Sequence, residues 1–309
     1  MIDTDTFLTT LYVIVDEFCK SELPGEPVRP GQPCSLSRSE VITLATLGQW
    51  SCFRNQRDFY RRVQGHLRPY FRRLPHRSQF NRLTHKYASA LVAFGVYLAK
   101  QLKVEHAPYE ILDTSGVPVR NVKRRGQGWL AGLANIGKCS RLGWYNGFRL
   151  LLATTPQGVI TGFAFGAGSA KDQPLTEAML AVRSQPRPAV ASVGRPATGP
   201  YIADKGFAGD TTHMRWQQLY QATVVTEPQT NSKRTWPADW QRWLRSIRQV
   251  VETVSGRLMD FFRLDHDRPH TLLGFQTNLA AKVTLHNFCI WLNRQLDRAD
   301  LAFADLIDW

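Results

Sequence analysis

Tyr109-Glu110-Ile111-Leu112-Asp113-Thr114-Ser115-Gly116 is the segment from which the architecture of this chain can be worked out. An apolar pair, Ile111 and Leu112, precedes an aspartate, as expected for a short buried strand that presents a carboxylate at its end. The same pattern returns in Tyr201-Ile202-Ala203-Asp204-Lys205-Gly206-Phe207. The two segments therefore predict two strands, each ending in an aspartate.

Further strands and helices are predicted around these two segments. Residues 147–155 and 159–165 are rich in β-formers and flank the turn Pro156-Gln157-Gly158, which indicates a hairpin. One more strand is predicted at residues 222–226, and helical spacing occurs at residues 174–182, 240–262 and 276–296. A hairpin followed by alternating helices and strands predicts a mixed α/β (α+β) domain over residues 106–309.

Residues 1–105 have a different character and predict an all-helical region. Apolar residues recur at helical spacing from Phe7 to Phe18, and a Pro/Gly-rich stretch at 23–34 then interrupts the pattern. The sequence Ser37-Arg38-Ser39-Glu40 is a capping box that opens the next helix. Further helices are predicted at 55–63 and 78–100. Several short helices joined by tight turns resemble a helix-turn-helix assembly.

The charge of the chain favours a polyanionic partner. The 309 residues contain 39 Lys and Arg against 25 Asp and Glu, a formal net charge of +14, and such an excess stabilises complexes with phosphates. Between Arg54 and Lys86 the only acid is Asp58, and aromatic residues are interleaved with the bases. This pattern predicts DNA contact, the alternative being a basic surface without a nucleic-acid role. The candidate DNA-binding residues are Arg61, Arg62, Arg72, Arg73, Arg77 and Arg82, with Lys123, Arg124 and Arg125 near the first aspartate.

Cysteine usage and hydropathy bear on the compartment. The five cysteines are scattered and include no pair at zinc-site spacing, which suits a reducing cytoplasm. Acids stand near Met1 where a secretory signal would carry Lys or Arg, and no apolar run reaches membrane-spanning length. We therefore expect a cytoplasmic, nucleoid-associated protein without a membrane partner.

A third acid, Glu252, completes a candidate catalytic set with Asp113 and Asp204. Phosphodiester chemistry uses two divalent cations held by a few convergent carboxylates, so the three acids are candidate catalytic and metal ligands for two Mg²⁺ ions, with Mn²⁺ as a substitute. Arg248 lies one helical turn before Glu252 and could orient it. Each residue has an alternative role: Asp113 as a turn cap, Asp204 in an Asp-Lys-Gly turn, and Arg248 with Glu252 as a surface ion pair.

Other residues have structural interpretations. Trp240 and Trp243 lie at helical spacing and are expected in the core, although together with Trp236 they could stack on a flipped base. Asp172 is expected to cap the helix that begins near Pro174.

Several motifs together resemble those of DDE-type transposases of small bacterial insertion sequences. Asp113-Thr114-Ser115-Gly116 is similar to the family's first-aspartate motif, Ala203-Asp204-Lys205-Gly206-Phe207 to the second, and Arg248-Gln249-Val250-Val251-Glu252 to its Arg-x-x-x-Glu helix. Three further segments also resemble family segments: residues 36–44, 74–82 and 144–150. The resemblance implies an RNase H-like mixed sheet flanked by helices, preceded by a helical DNA-binding region at 1–105.

The same resemblance implies a function. It predicts metal-dependent cleavage of double-stranded DNA at the terminal inverted repeats of an insertion sequence, followed by strand transfer into target DNA. Joining paired ends implies a homodimer in the active complex. Relatives often place a base six or seven residues after the glutamate, whereas this chain has Arg257 five residues on. Arg257 and Lys205 are candidate phosphate contacts. The alternatives are a non-catalytic DNA-binding protein, decayed or domesticated, and a metal-dependent nuclease that does not join.

Overall fold

A computed structural model describes residues 1–26, 34–123, 129–185, 195–228 and 236–309. The helices are α1 (Thr4–Ser21), α2 (Arg38–Leu47), α3 (Gln56–Arg62), α4 (Arg77–Lys86), α5 (Ala88–Gln101), α6 (Asp172–Arg183), α7 (Asp210–Tyr220), α8 (Ala238–Gly256) and α9 (Leu272–Gln295). The strands are β1 (Ile2–Asp3), β2 (Glu110–Arg120), β3 (Asn135–Cys139), β4 (Gly143–Thr154), β5 (Ile160–Ala167), β6 (Gly199–Ala203), β7 (Ala222–Thr226) and β8 (Ile307–Asp308).

The chain forms two compact units, which differ from the predicted division into 1–105 and 106–309. One unit comprises Met1–Leu98 together with Leu273–Trp309, and the other comprises Ala99–Leu272. The C-terminal segment joins the N-terminal helices because α9 is buried among them. Phe288 on α9 meets Phe7 with ring centroids 5.3 Å apart, and the Thr284 hydroxyl donates to the Leu91 carbonyl at 3.0 Å.

Local sequence signals set the helix ends in the first unit. The predicted capping box at the start of α2 is present, since the Ser37 N–H donates to the Glu40 carboxylate at 2.6 Å and the Ser37 hydroxyl accepts from the Glu40 N–H at 3.2 Å. The single helix predicted at 78–100 is wrong, because α4 and α5 are separated at Tyr87. The Tyr87 backbone leaves the helical region there, with φ −100° and ψ 19°, and its hydroxyl is hydrogen-bonded to Glu26 and Lys86.

The second unit is built on a mixed sheet with the order β3-β4-β2-β6-β7. Strand β4 runs antiparallel to β2, and its other edge pairs first with β3 and then with β5. Strands β2, β6 and β7 are parallel. Four strands joined by antiparallel pairing, β3, β5, β4 and β2, are continued by the two parallel strands β6 and β7. With helices packed on the sheet, this arrangement is the RNase H-like fold that the family resemblance implies.

Helices pack on both faces of this sheet. Helices α6 and α7 bury a core against β2, β4, β6 and β7, in which Leu112, Leu180 and Trp216 are fully buried. Helix α8 packs against β2, β4 and β6. Successive side chains of a strand point to opposite faces, and Thr114 contacts α6 whereas Ser115 contacts α8. Asp113 therefore projects to the face of the sheet that α8 covers.

Candidate active site

The two aspartates reach the site from neighbouring parallel strands. Asp204 follows the last residue of β6, as the sequence predicts. Asp113 lies inside β2, because the antiparallel pairing with β4 continues beyond it to Arg120. The strand-end prediction for Asp113 is therefore wrong, although the parallel pairing of β2 with β6 does stop at Ile111, two residues earlier.

A tight turn orients the Asp204 carboxylate. Its Oδ1 accepts a hydrogen bond from the Gly206 N–H at 2.8 Å and so caps the 3₁₀ turn Lys205–Phe207. The Asp-Lys-Gly turn, which the sequence offers as an alternative role for Asp204, is present. The turn and a catalytic role are compatible, since one carboxylate oxygen suffices for the cap.

Helix α8 supplies the third acid. Leu244, Val251 and Val254 are buried on one face of this helix, whereas the Glu252 side chain on another face is 58% exposed. The Ser255 hydroxyl lies 2.6 Å from that of Ser115. This contact joins α8 directly to β2 near both Glu252 and Asp113.

Arg248 brings the three acids together. Its Nη2 atom lies 3.8 Å from Asp113 Oδ1, 3.8 Å from Asp204 Oδ2 and 3.7 Å from Glu252 Oε1. Three carboxylates separated by long stretches of sequence thus converge on one guanidinium nitrogen. The Arg248–Glu252 pair is consequently more than a surface ion pair between helical neighbours.

Burial and the neighbouring carboxylates raise the pKa of Asp113. Its side chain is only 17% exposed, and burial, together with repulsion by Asp204 and Glu252, raises its pKa from 3.8 to about 7, against the opposing effect of Arg248. A carboxyl group with a pKa near neutrality is typical of functional sites.

The donor set fits hard divalent cations in its chemistry. Carboxylate oxygens are the ligands that Mg²⁺ and Mn²⁺ prefer, and three of them face a single positive group here. Among the residues that the structure describes, no three His, Cys, Asp or Glu side chains are arranged as a ready metal site. The Arg248 guanidinium lies where the three carboxylates converge. The buried Nε of Arg248 has no hydrogen-bond partner among these residues, so the guanidinium is anchored mainly by the acids themselves.

The remaining candidate phosphate contacts in the second unit, Lys205, Arg257 and Lys123, differ in exposure and in their partners. The Lys205 ammonium lies 3.2 Å from the Glu227 carboxylate and is half-exposed. Arg257 begins the π-helical turn Arg257–Phe261 that follows α8 and is half-buried. Five residues of α-helix rotate a side chain about 140° around the axis, so Arg257 does not share the face of Glu252. Lys123 is exposed.

The basic residues of the helical unit lie largely at the surface. Arg77 is half-buried, and the other five are exposed: Arg61, Arg62, Arg72, Arg73 and Arg82. No ion pair joins any of the six to a carboxylate in the described part of the chain. Their charges are therefore available to an external anion. Arg124 and Arg125 lie outside the described residues.

The expected burial of Trp240 and Trp243 and the expected capping role of Asp172 are both wrong. Trp240 and Trp243 are 57% and 45% exposed, because the buried residues of α8 begin only at Leu244. Asp172 does not cap α6, since Lys171 is the N-cap residue. The Asp172 side chain instead accepts hydrogen bonds from Thr114 and Arg149, near Asp113. An aspartate in the first turn of a helix is common, so no sequence signal pointed to these contacts.

A comparison with known proteins identifies the family of the chain. A family model described as "Transposase DDE domain" matches residues 103–272, which is more than half of the chain. The chain thus contains a transposase DDE domain, and it belongs to the DDE transposase family.

A solved structure described as the Mos1 transposase paired-end complex with left transposon end is similar at 11% identity, with a TM-score of 0.22, covering 81% of this chain and 85% of that chain. No curated protein matches the chain. None of the described helices combines the length and apolar character that a membrane span requires.

Proposed function

We propose that this protein is a transposase that cuts double-stranded DNA at the ends of an insertion sequence and joins the freed ends to target DNA. The observation that carries the proposal is the convergence of Asp113, Asp204 and Glu252 on Arg248, within a DDE transposase domain. The protein would act in the bacterial cytoplasm on chromosomal DNA.

Each residue of the site has a role in this chemistry. Asp113 and Asp204 would hold divalent cations, with Mg²⁺ as the natural ion and Mn²⁺ as a substitute, and Glu252 would complete the set. When bound, the cations stabilise the charge that develops on phosphorus and activate the attacking oxygen. Arg248 sits within reach of all three acids and would orient Glu252 or contact the phosphate as the cations take over the carboxylates.

Outside the acidic cluster, basic residues would contact DNA. The exposed arginines Arg61, Arg62, Arg72 and Arg73 would bind the phosphates of the element ends, helped by Arg77 and Arg82. In the second unit, Lys123, Lys205 and Arg257 are proposed phosphate contacts near the scissile strand, and Arg124 and Arg125 follow Lys123 in sequence. Joining two ends in one event needs two active sites, so the active complex is proposed to be a homodimer.

The test uses a plasmid that carries the coding region with its natural flanking DNA. Incubated with the full-length protein and Mg²⁺, this plasmid should yield DNA cut at the element ends and joined products. Asp113→Asn should abolish both products while leaving DNA binding in a gel shift unchanged, because the basic surface is intact. Asp210→Asn is the matched control, since it removes the same charge from an exposed position.

The possible outcomes separate the candidate functions. Joined products that depend on Asp113 support the transposase. Cutting without joining would identify a nuclease, and metal-independent binding with no cutting would identify a non-catalytic DNA-binding protein. An Asp113→Asn variant that still cuts and joins would refute the assigned site.

A further inference from the structure

A fourth carboxylate, Asp172, lies beside the acidic site without belonging to it. Asp172 is the first residue of α6, and its side chain is only 11% exposed. Its Oδ1 atom accepts hydrogen bonds from the Thr114 hydroxyl at 2.8 Å and from Arg149 Nε at 2.6 Å. Thr114 directly follows Asp113, so Asp172 holds the backbone that carries the most buried acid of the site.

The contact is part of a closed triangle of side chains. Arg149 on β4 is paired with Gly116 of β2, and its Nη2 atom donates to the Thr114 hydroxyl at 2.8 Å. Asp172, Arg149 and Thr114 therefore each bond to the other two. Because Asp172 balances the charge of Arg149, the guanidinium on β4 stays hydrogen-bonded to Thr114 on β2.

Helix α6 is fastened to β2 at both of its ends. At its last residue, Arg183 Nη1 lies 2.7 Å from Glu110 Oε2, and both side chains are almost fully buried. At its first residue, Asp172 bonds to Thr114. The two attachments lie on either side of Asp113 along the strand, so the segment of β2 that carries this acid has little freedom to shift.

The second oxygen of Asp172 constrains the turn that orients Asp204. A Cβ atom on Gly206 would lie 2.4 Å from Asp172 Oδ2 and 3.0 Å from Asp204 Oδ1. Only a hydrogen fits between the two carboxylates at this position. The N–H of the same glycine donates to Asp204 Oδ1 at 2.8 Å. Asp172 therefore approaches this turn through Oδ2, while its Oδ1 accepts from Thr114 of β2.

We infer that Asp172 is a positioning residue that sets the Asp113 and Asp204 carboxylates at the separation a shared divalent cation requires. It acts through Thr114 on one side and through Gly206 on the other, and it need not touch the cation or the DNA. The inference rests on the proposed function. Partners of this kind, one step behind the ligands, commonly change metal affinity about 10- to 100-fold when they are removed.

The experiment measures Mn²⁺ binding to the full-length protein, using the electron paramagnetic resonance signal of free Mn²⁺. Asp172→Ala should weaken the binding that depends on Asp113 about 10- to 100-fold. Asp172→Asn should weaken it less, because the amide oxygen still accepts from Thr114 and Arg149. Asp210→Ala removes the same charge from the first residue of α7, where the side chain is exposed, and should leave binding unchanged.

The order of the two Asp172 variants separates positioning from a simple charge effect. If Asp172 acted only through its negative charge, Asn and Ala would weaken binding equally, and that result would overturn the inference. Circular dichroism and thermal melting check that each variant is folded. If Asp172→Ala does not fold, Gly206→Ala provides the second test, because its new methyl group would push against Asp172 and Asp204.

A double-mutant cycle makes the contact itself measurable. Gly206→Ala should weaken Mn²⁺ binding because its methyl group displaces the turn, and Asp172→Asn should leave this effect in place because the side chain keeps its size. Asp172→Ala removes the nearer of the two clashing oxygens, so Gly206→Ala should weaken Mn²⁺ binding less in the Asp172→Ala background than in the wild type. Effects that simply multiply would show that the two sites are independent and would contradict the inference.

Two outcomes distinguish this inference from the proposed function. Wild-type binding that is lost in Asp113→Asn but unchanged in Asp172→Ala would overturn the role of Asp172 and leave the proposed active site standing. Wild-type protein that binds no Mn²⁺ through Asp113 would overturn both.

Discussion

Replacement of Asp113 by asparagine should stabilise the protein while it abolishes the proposed chemistry. The Asp113 carboxyl is buried beside Asp204 and Glu252, and its pKa is raised from 3.8 to about 7. Ionising this group is therefore harder in the folded than in the unfolded chain. Asparagine has nearly the same shape and carries no charge at any pH, so it removes this penalty.

The size and sign of the effect follow from the pKa. A raised pKa in the folded state means that the folded chain holds a proton that the unfolded chain has already released, so the contribution of this group to stability falls as the pH rises from 3.8 to about 7. Each tenfold change in proton affinity corresponds to about 1.4 kcal/mol. The full penalty is therefore about 4 kcal/mol above neutral pH, and about 3 kcal/mol of it develops between roughly pH 5 and pH 8.

Urea unfolding in EDTA at a series of pH values measures this effect. The free energy of unfolding of Asp113→Asn minus that of the wild type should increase by about 3 kcal/mol between roughly pH 5 and pH 8. The fully buried Trp216 belongs to the same unit and reports its unfolding by fluorescence. Asp210→Asn serves as the control, because it makes the same substitution at an exposed position. Parallel curves for wild type and Asp113→Asn over this range would refute the reasoning.

Three further predictions concern the site and the DNA surface. Since a cation must displace the proton of Asp113, the affinity for Mn²⁺ should rise about tenfold per pH unit below about pH 7 and level off above it. Calorimetry in buffers of different ionisation enthalpy counts the released proton. An affinity that does not vary with pH would contradict this prediction. Ser255→Ala removes the 2.6 Å contact with Ser115. This substitution should lower the free energy of unfolding by about 1 kcal/mol, as thermal unfolding measures, and should reduce DNA cutting. Ser246→Ala, on the exposed side of α8, should have neither effect. Arg72→Ala and Arg73→Ala should weaken DNA binding equally for all sequences. The slope of the logarithm of the binding constant against the logarithm of the salt concentration should fall in magnitude by about one per lost phosphate contact. A fluorescence anisotropy titration measures this slope, with Arg242→Ala as the control, and an unchanged slope would exclude phosphate contact.

Local patterns predicted the parts of this site that depend on local structure. A short apolar run followed by an aspartate located both Asp113 and Asp204, and helical spacing located Glu252 with Arg248, because strand burial and helix periodicity are written in neighbouring residues. The RNase H-like order of the strands followed from the family resemblance. Asp172 could not be predicted in its actual role, since its partners Thr114 and Arg149 lie 58 and 23 residues away in the chain.

Helical periodicity also failed to predict how much of the apolar stripe of α8 is buried. The apolar stripe of α8 continues through Trp240 and Trp243, but the partners that bury the helix are present only from Leu244 onward. Helix α9 shows the opposite case. It is buried on nearly all sides, so its sequence has little amphipathic character and gave no sign that it belongs with the N-terminal helices.

The charges of the active site do not balance, and the surrounding contacts explain why the imbalance persists. One guanidinium serves three carboxylates, so mutual repulsion would separate the acids if their supports could move. The Ser115–Ser255 contact ties α8 to β2, and the Asp172 contacts tie α6 to β2 and limit the turn that follows β6. Burial, together with the repulsion from Asp204 and Glu252, raises the pKa of Asp113 to about 7, so this acid retains its proton almost to neutrality. A divalent cation relieves the same repulsion more effectively than a proton, since it can neutralise two carboxylates at once. Under the proposed function, the contacts that join α8, α6 and the turn after β6 to β2 would keep the three acids close enough for divalent cations to bind between them.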